Sequence, residues 1–164
     1  TGALLHVVFH AWIKAALFLS AGAIIYKTGK TRTDELTGIG KEMPVTIWCY
    51  TIASLALIGI PPASGFISKW YLALGALSSD TGLFTWLGPA VLLLSALLTA
   101  GYLLPVTLKG FLPGVDFNYA GLQKREPDLW MLIPIVILAA FSLLFGIFPN
   151  PLTEFIRGIV SAVL

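Results

Sequence analysis

Charge is what this chain has least of. Asp, Glu, Lys and Arg make up 11% of its 164 residues, against about a quarter in an ordinary soluble domain, which excludes a soluble globular fold. A net charge of +2, with no dense run of Lys or Arg, excludes nucleic acid and other polyanionic partners. Cysteine is nearly absent as well: Cys49 alone cannot make an intrachain disulfide, a cysteine cage for zinc or a cysteine-ligated iron–sulfur cluster. The sequence lacks a Gly-rich phosphate loop and a nucleophile triad, so it calls for no cofactor and has no redox centre of its own. It also lacks an initiator methionine. The chain opens at Thr1, and its first apolar stretch carries His6, His10 and Lys14, residues foreign to a secretory leader, so the expectation is a piece of a longer protein.

What is present is apolar: 57% of the residues are hydrophobic, in runs long enough to cross a bilayer. Residues 3–26 form the first run, which at 1.5 Å per residue covers a hydrocarbon core of about 30 Å. A polar connection, residues 27–43, follows with Lys27, Lys30, Arg32, Asp34, Glu35, Lys41 and Glu42, and belongs outside the membrane. Residues 44–60 are apolar again, with Pro44 suited to a helix start. Residues 61–79 are the irregular stretch, because Pro61, Pro62, Ser64 and Gly65 interrupt an apolar region just ahead of Lys69. Adjacent prolines remove two backbone donors, leaving nearby carbonyls in need of water or neighbouring protein. Two placements fit: an interrupted helix lining a wet cavity at membrane depth, or a plain loop between two short spans at the surface. Residues 83–108 form a further span containing Ser95, Thr99, Tyr102 and Pro105. After a polar connection, residues 109–128, comes the apolar span 129–148 with Pro134 and Gly146 as possible bends. An amphipathic tail, residues 150–164, carries Glu154 and Arg157. The expected fold is all-α, a polytopic transmembrane helix bundle of four or five segments with one interrupted. Its orientation does not follow, since Lys and Arg divide almost evenly between the two polar connections.

Chemistry concentrates on the first span. His6, His10 and Lys14 recur at four-residue steps, each rising about 6 Å and turning about 40°, so their heads form a file about 12 Å long on one helix face. Lys14 stands about 16 Å from either end of its span, beyond a side-chain reach of about 6 Å, so snorkelling to the headgroups is disfavoured. A lysine at the bilayer centre costs about 3 kcal/mol unless it faces protein or a wet cavity. With water between the heads, an imidazole accepts a proton on one nitrogen and releases one from the other. The pattern outlines a proton path through His6, His10, Lys14 and Lys69, in which like charges on the two lysines couple the sites. Taken singly, either histidine is more often a packing residue, and Lys69 also suits an interfacial position. Two histidines four apart can chelate zinc, but no acid or cysteine lies near to complete the set and Lys14 would oppose the ion, so no metal is expected.

Three stretches, HVVFHAWIKAALFLSAG, GIGKEMPVT and GIPPASGFISKWYLALGA, closely resemble the antiporter-like subunits of respiratory complex I. They are similar too to the D-type subunit of multi-subunit Na⁺/H⁺ antiporters and to the membrane arms of energy-converting hydrogenases. The resemblance covers residues 1–102 and continues loosely to the end. It implies a whole protein of about fourteen helices built on two inverted repeats, with this chain most of the second repeat and the tail. Lys14 would be the central-axis lysine, His6 and His10 its associated histidines, and Lys69 the ionisable residue of the interrupted helix. GFISKWYL leans toward the D-type subunit. The implied role is an ion-translocating subunit of an NADH:quinone oxidoreductase-type or cation/proton antiporter complex in a prokaryotic inner membrane. Its partners would be homologous antiporter-like subunits, small membrane subunits, lipid, protons and, in the antiporter branch, Na⁺. Two features depart from the family: the glutamate and lysine pair of the first repeat is absent, and no long lateral helix follows the last span. The rival reading is a structural, membrane-anchoring subunit whose polar residues only join helices.

Overall fold

A computed structural model describes residues 1–79, 82, 84–115, 117–118 and 120–163. Among the residues bounding or interrupting the expected segments, Leu83, Asp116, Tyr119 and Leu164 lie outside these. Among the described residues the chain is all-helical: α1 (Gly2–Thr28), α2 (Ile39–Glu42), α3 (Pro44–Ile58), α4 (Ser64–Leu77), α5 (Phe84–Phe111), α6 (Leu129–Ile147) and α7 (Asn150–Val163). Helices α1, α5 and α6 are long and apolar enough to span a membrane. The 15-residue α3 rises only about 22 Å, and its partner α4 lies across the break at residues 59–63.

Helix α1 is central and packs against α3, α4 and α6. Leu5, Phe9, Ile13 and Ala16 are fully buried along one face, meeting Ala53, Ala56 and Leu57 of α3 and Leu103 and Val106 of α5. His6, His10 and Lys14 each follow one residue after this file, so they are turned about 100° from the core face and are half-buried. That offset lets one helix carry an oily seam and a polar stripe side by side. On α6 the buried face is Ile135, Ala139 and Ser142, the Ser142 hydroxyl donating to Leu138 O at 2.9 Å, and the helix continues through Pro134.

The break is closely packed. Gly59, at φ 92°, ends α3 in the left-handed conformation with its N–H on Leu55 O. Gly65, expected from the sequence to help interrupt a helix, instead lies in the first turn of α4. A Cβ there would run into Ala56 O, so its role is to bring α4 against α3. Gly146 of α6 approaches Pro62 O in the same way.

Outside the bundle, the second polar connection crosses the start of α3. The Glu126 carboxylate accepts the Val45 N–H through Oε1 and the Thr46 hydroxyl, at 2.7 Å, through Oε2. It thereby caps α3, where the N-cap residue, Met43, makes no side-chain cap bond of its own. Glu42, with its side chain 6% exposed, pairs with Lys30 at 2.8 Å and sits 3.8 Å from Arg125. Its carbonyl accepts the Arg125 N–H. Lys27 and Asp128 add a pair at 3.0 Å. The connection 27–43 also holds the single helical turn α2, which its glycines and charges gave no reason to expect. Helix α7 buries Thr153 and Ile156 and is tied to α4 by Arg157, which donates to the Tyr71 hydroxyl at 3.0 Å.

Candidate functional site

His6, His10 and Lys14 of α1 share one cleft of about 110 Å³ with Lys69 of α4. The opposite wall is α5, which contributes Ser95, Thr99 and Tyr102, and Leu57 of α3 supplies the apolar floor. Four helices thus converge on the four ionisable residues singled out from the sequence. The His6 and His10 rings lie 5.6 Å apart, centroid to centroid, tilted by 42°. The Lys14 amine stands 5.9 Å from the centroid of the Phe18 ring, one turn further along α1, a favourable cation–π placement. No carboxylate lines the cleft among the described residues, so its charge is of one sign whenever a site is protonated.

Lys69 has the most defined surroundings. Its amine donates to Leu57 O at 3.0 Å and to Ile58 O at 2.7 Å. In a continuing helix those two carbonyls would accept from residues 61 and 62. Both are proline, and neither has an N–H. The lysine therefore donates to the two acceptors whose usual partners the proline pair removes. A cation at a helix C-terminus is also favoured by the aligned peptide dipoles. Gly59 leaves room for this arrangement, since a Cβ there would stand 2.9 Å from Lys69 Cδ.

His6 is held across the α1–α4 contact, its Nδ1 3.0 Å from Ser68 Oγ. Ser68 is fully buried and its hydroxyl donates to Gly65 O at 3.1 Å. Sequence reasoning assigned Ser68 nothing, and it noted Ser95, Thr99 and Tyr102 only as contents of a span. A signal for the latter three was present: steps of four and three residues put three hydroxyls on one face of an otherwise apolar helix. Thr99 donates to Ser95 O at 2.7 Å, while Tyr102 is exposed. Ser68 gave no such signal, because its partner is 62 residues away.

Histidines, lysines and hydroxyls thus meet in one cleft between α1, α3, α4 and α5 of an all-helical chain. The chain belongs to the transmembrane family described as NADH:quinone oxidoreductase/Mrp antiporter, which matches residues 1–99. It is 38% identical over 157 residues to NADH-quinone oxidoreductase subunit N of Desulforudis audaxviator, covering 90% of this chain and 30% of that protein. It is 31% identical over 169 residues to the D-type subunit of the Na(+)/H(+) antiporter of Alkalihalophilus pseudofirmus, covering 99% and 32%. Among solved structures, a chain of the Mrp complex from Dietzia sp. DQ12-45-1b superposes with a TM-score of 0.79 at 23% identity, covering 93% of this chain and 35% of that one. The chain spans about a third of the length of these curated relatives.

Proposed function

We propose that this chain passes protons through a hydrated path lined by His6, His10, Lys14 and Lys69, as part of an antiporter-like subunit in a complex of NADH:quinone oxidoreductase or cation/proton antiporter type. The observation that carries the proposal is the convergence of these four side chains on one cleft, opposite a wall of hydroxyls. A volume of about 110 Å³ admits about four waters at liquid density, at about 30 Å³ each, enough to bridge heads one helical turn apart. Imidazoles and amines in such a chain trade protons with water, and each proton gained at one site raises the cost of charging the next.

The chain supplies the path and not the driving force. Partner membrane subunits would bring that force, either from electron transfer or from an opposing cation gradient. Moving one charge against 100 mV takes about 2.3 kcal/mol. Names of the relatives, one from a quinone oxidoreductase and one from an antiporter, support both branches.

The test is proton flux into liposomes holding the intact complex with Lys14→Ala or Lys69→Ala. Flux should be lost while the complex still assembles. Unchanged flux in both variants defeats the proposal. Lost assembly with normal flux per assembled complex would mark these residues as helix-joining groups and the subunit as an anchor.

A further inference from the structure

We infer that Ser68 fixes His6 as the tautomer protonated on Nδ1, so that His6 exchanges protons through Nε2 alone and is not a through-ring relay. The inference rests on the proton-path reading for its functional meaning, and on hydrogen-bond geometry for its substance.

A serine hydroxyl has one hydrogen. With that hydrogen donated to Gly65 O, 3.1 Å away, Ser68 Oγ can offer only a lone pair to His6 Nδ1 at 3.0 Å. Nδ1 must then carry the hydrogen. The opposite tautomer, protonated on Nε2, would require the hydroxyl to turn from Gly65 to Nδ1 and forfeit one of the two contacts. Ser68 is fully buried, which removes water as a substitute partner. Only the Nδ1–H ring satisfies both contacts together.

The consequence separates the two histidines. When neutral His6 takes a proton, the new N–H forms on Nε2, the ring becomes the imidazolium, and the Nδ1–H bond to Ser68 persists unchanged. Release returns the same proton from the same nitrogen. A relay that enters by one nitrogen and leaves by the other would need Nδ1 to give up its hydrogen to a buried oxygen that has nowhere to pass it. His6 is therefore a site that loads and unloads on one side. His10, which makes no such contact among the described residues, remains able to pass a proton through its ring. Ser68 acts through His6 and is a positioning residue.

The experiment is solid-state NMR of the intact protein in liposomes with ¹⁵N-labelled histidine, the His6 signals being those lost in His6→Gln. With the ring neutral at high pH, the protonated nitrogen of His6 should be Nδ1. In Ser68→Ala the protonated signal should shift to Nε2, and Ser68→Thr, which keeps a hydroxyl, should restore it. A neutral His6 carrying its hydrogen on Nε2 in the unsubstituted protein overturns the inference without recourse to any variant, and so does an Nδ1–H ring unaffected by Ser68→Ala. Proton flux tested separately with Lys14→Ala and Lys69→Ala distinguishes the two readings: unchanged flux in both would defeat the transport proposal and leave the tautomer assignment standing.

Discussion

Replacing Lys69 by methionine keeps the length and apolar stem of the side chain but removes the donor to Leu57 O and Ile58 O. Neither carbonyl can turn to the helix for a substitute, because the residues four positions on are Pro61 and Pro62. An acceptor left unsatisfied costs about 1–3 kcal/mol. With two such acceptors, and the half-open cleft returning some water to them, the expected loss is about 2–4 kcal/mol. Lys69→Gln offers two N–H donors on a shorter stem and should recover part of that loss while carrying no proton that exchanges near neutrality. The assay is equilibrium unfolding of the intact protein in mixed micelles, followed by tryptophan fluorescence and far-ultraviolet circular dichroism. Proton flux is measured in parallel. The reasoning expects stability in the order Lys, Gln, Met, with flux absent from both variants. A methionine variant within about 0.5 kcal/mol of the parent, the range of an ordinary surface substitution, would refute the capping argument.

Glu126→Ala removes the cap from the start of α3 and should cost about 1–2 kcal/mol in the same unfolding assay, with amide exchange at Val45 and Thr46 accelerated. Gly65→Ala drives a methyl group into Ala56 O; the separation of α3 and α4 it forces should cost about 1–3 kcal/mol and lengthen the His6–Ser68 contact, read as loss of the Nδ1–H signature. Tyr102→Phe removes one hydroxyl from the cleft at an exposed position, so flux should fall severalfold while unfolding stays within about 0.5 kcal/mol of the parent.

Much of this was legible in the sequence because hydrocarbon is an unforgiving solvent. Apolar runs of fixed minimum length announced helices, and the four-residue recurrence of His6, His10 and Lys14 announced a shared face, since both follow from helix geometry alone. The proline pair announced unpaired carbonyls. What it could not announce was their partner, because Lys69 reaches Leu57 and Ile58 across a break whose turn depends on tertiary packing. Glu126 escaped notice for the same reason: a cap usually comes from the residue beside the helix, and this one is 81 residues from Val45. Gly65 was read by its propensity as a breaker, whereas close approach to Ala56 decided its place in α4. Local rules thus located the elements and the chemical groups, and the contacts that orient those groups came from long-range packing.

On the proposed path, Lys69 would both hold the fold and exchange protons. An ammonium has three N–H donors, and two are engaged by Leu57 O and Ile58 O. The third is the one the proposed path would release. After it leaves, the neutral amine still has two N–H bonds for the same two carbonyls, and the lone pair takes the vacated direction, ready to accept again. The cap is therefore compatible with both protonation states, and the break between α3 and α4 need not rearrange when Lys69 discharges. His6 obeys the same logic on α1: one nitrogen is committed to Ser68, the neighbour of Lys69 on α4, and the other is left for exchange. In the proposed path, both residues would be oriented by a fixed set of hydrogen bonds while a separate position carried the mobile proton, so orientation would survive each transfer.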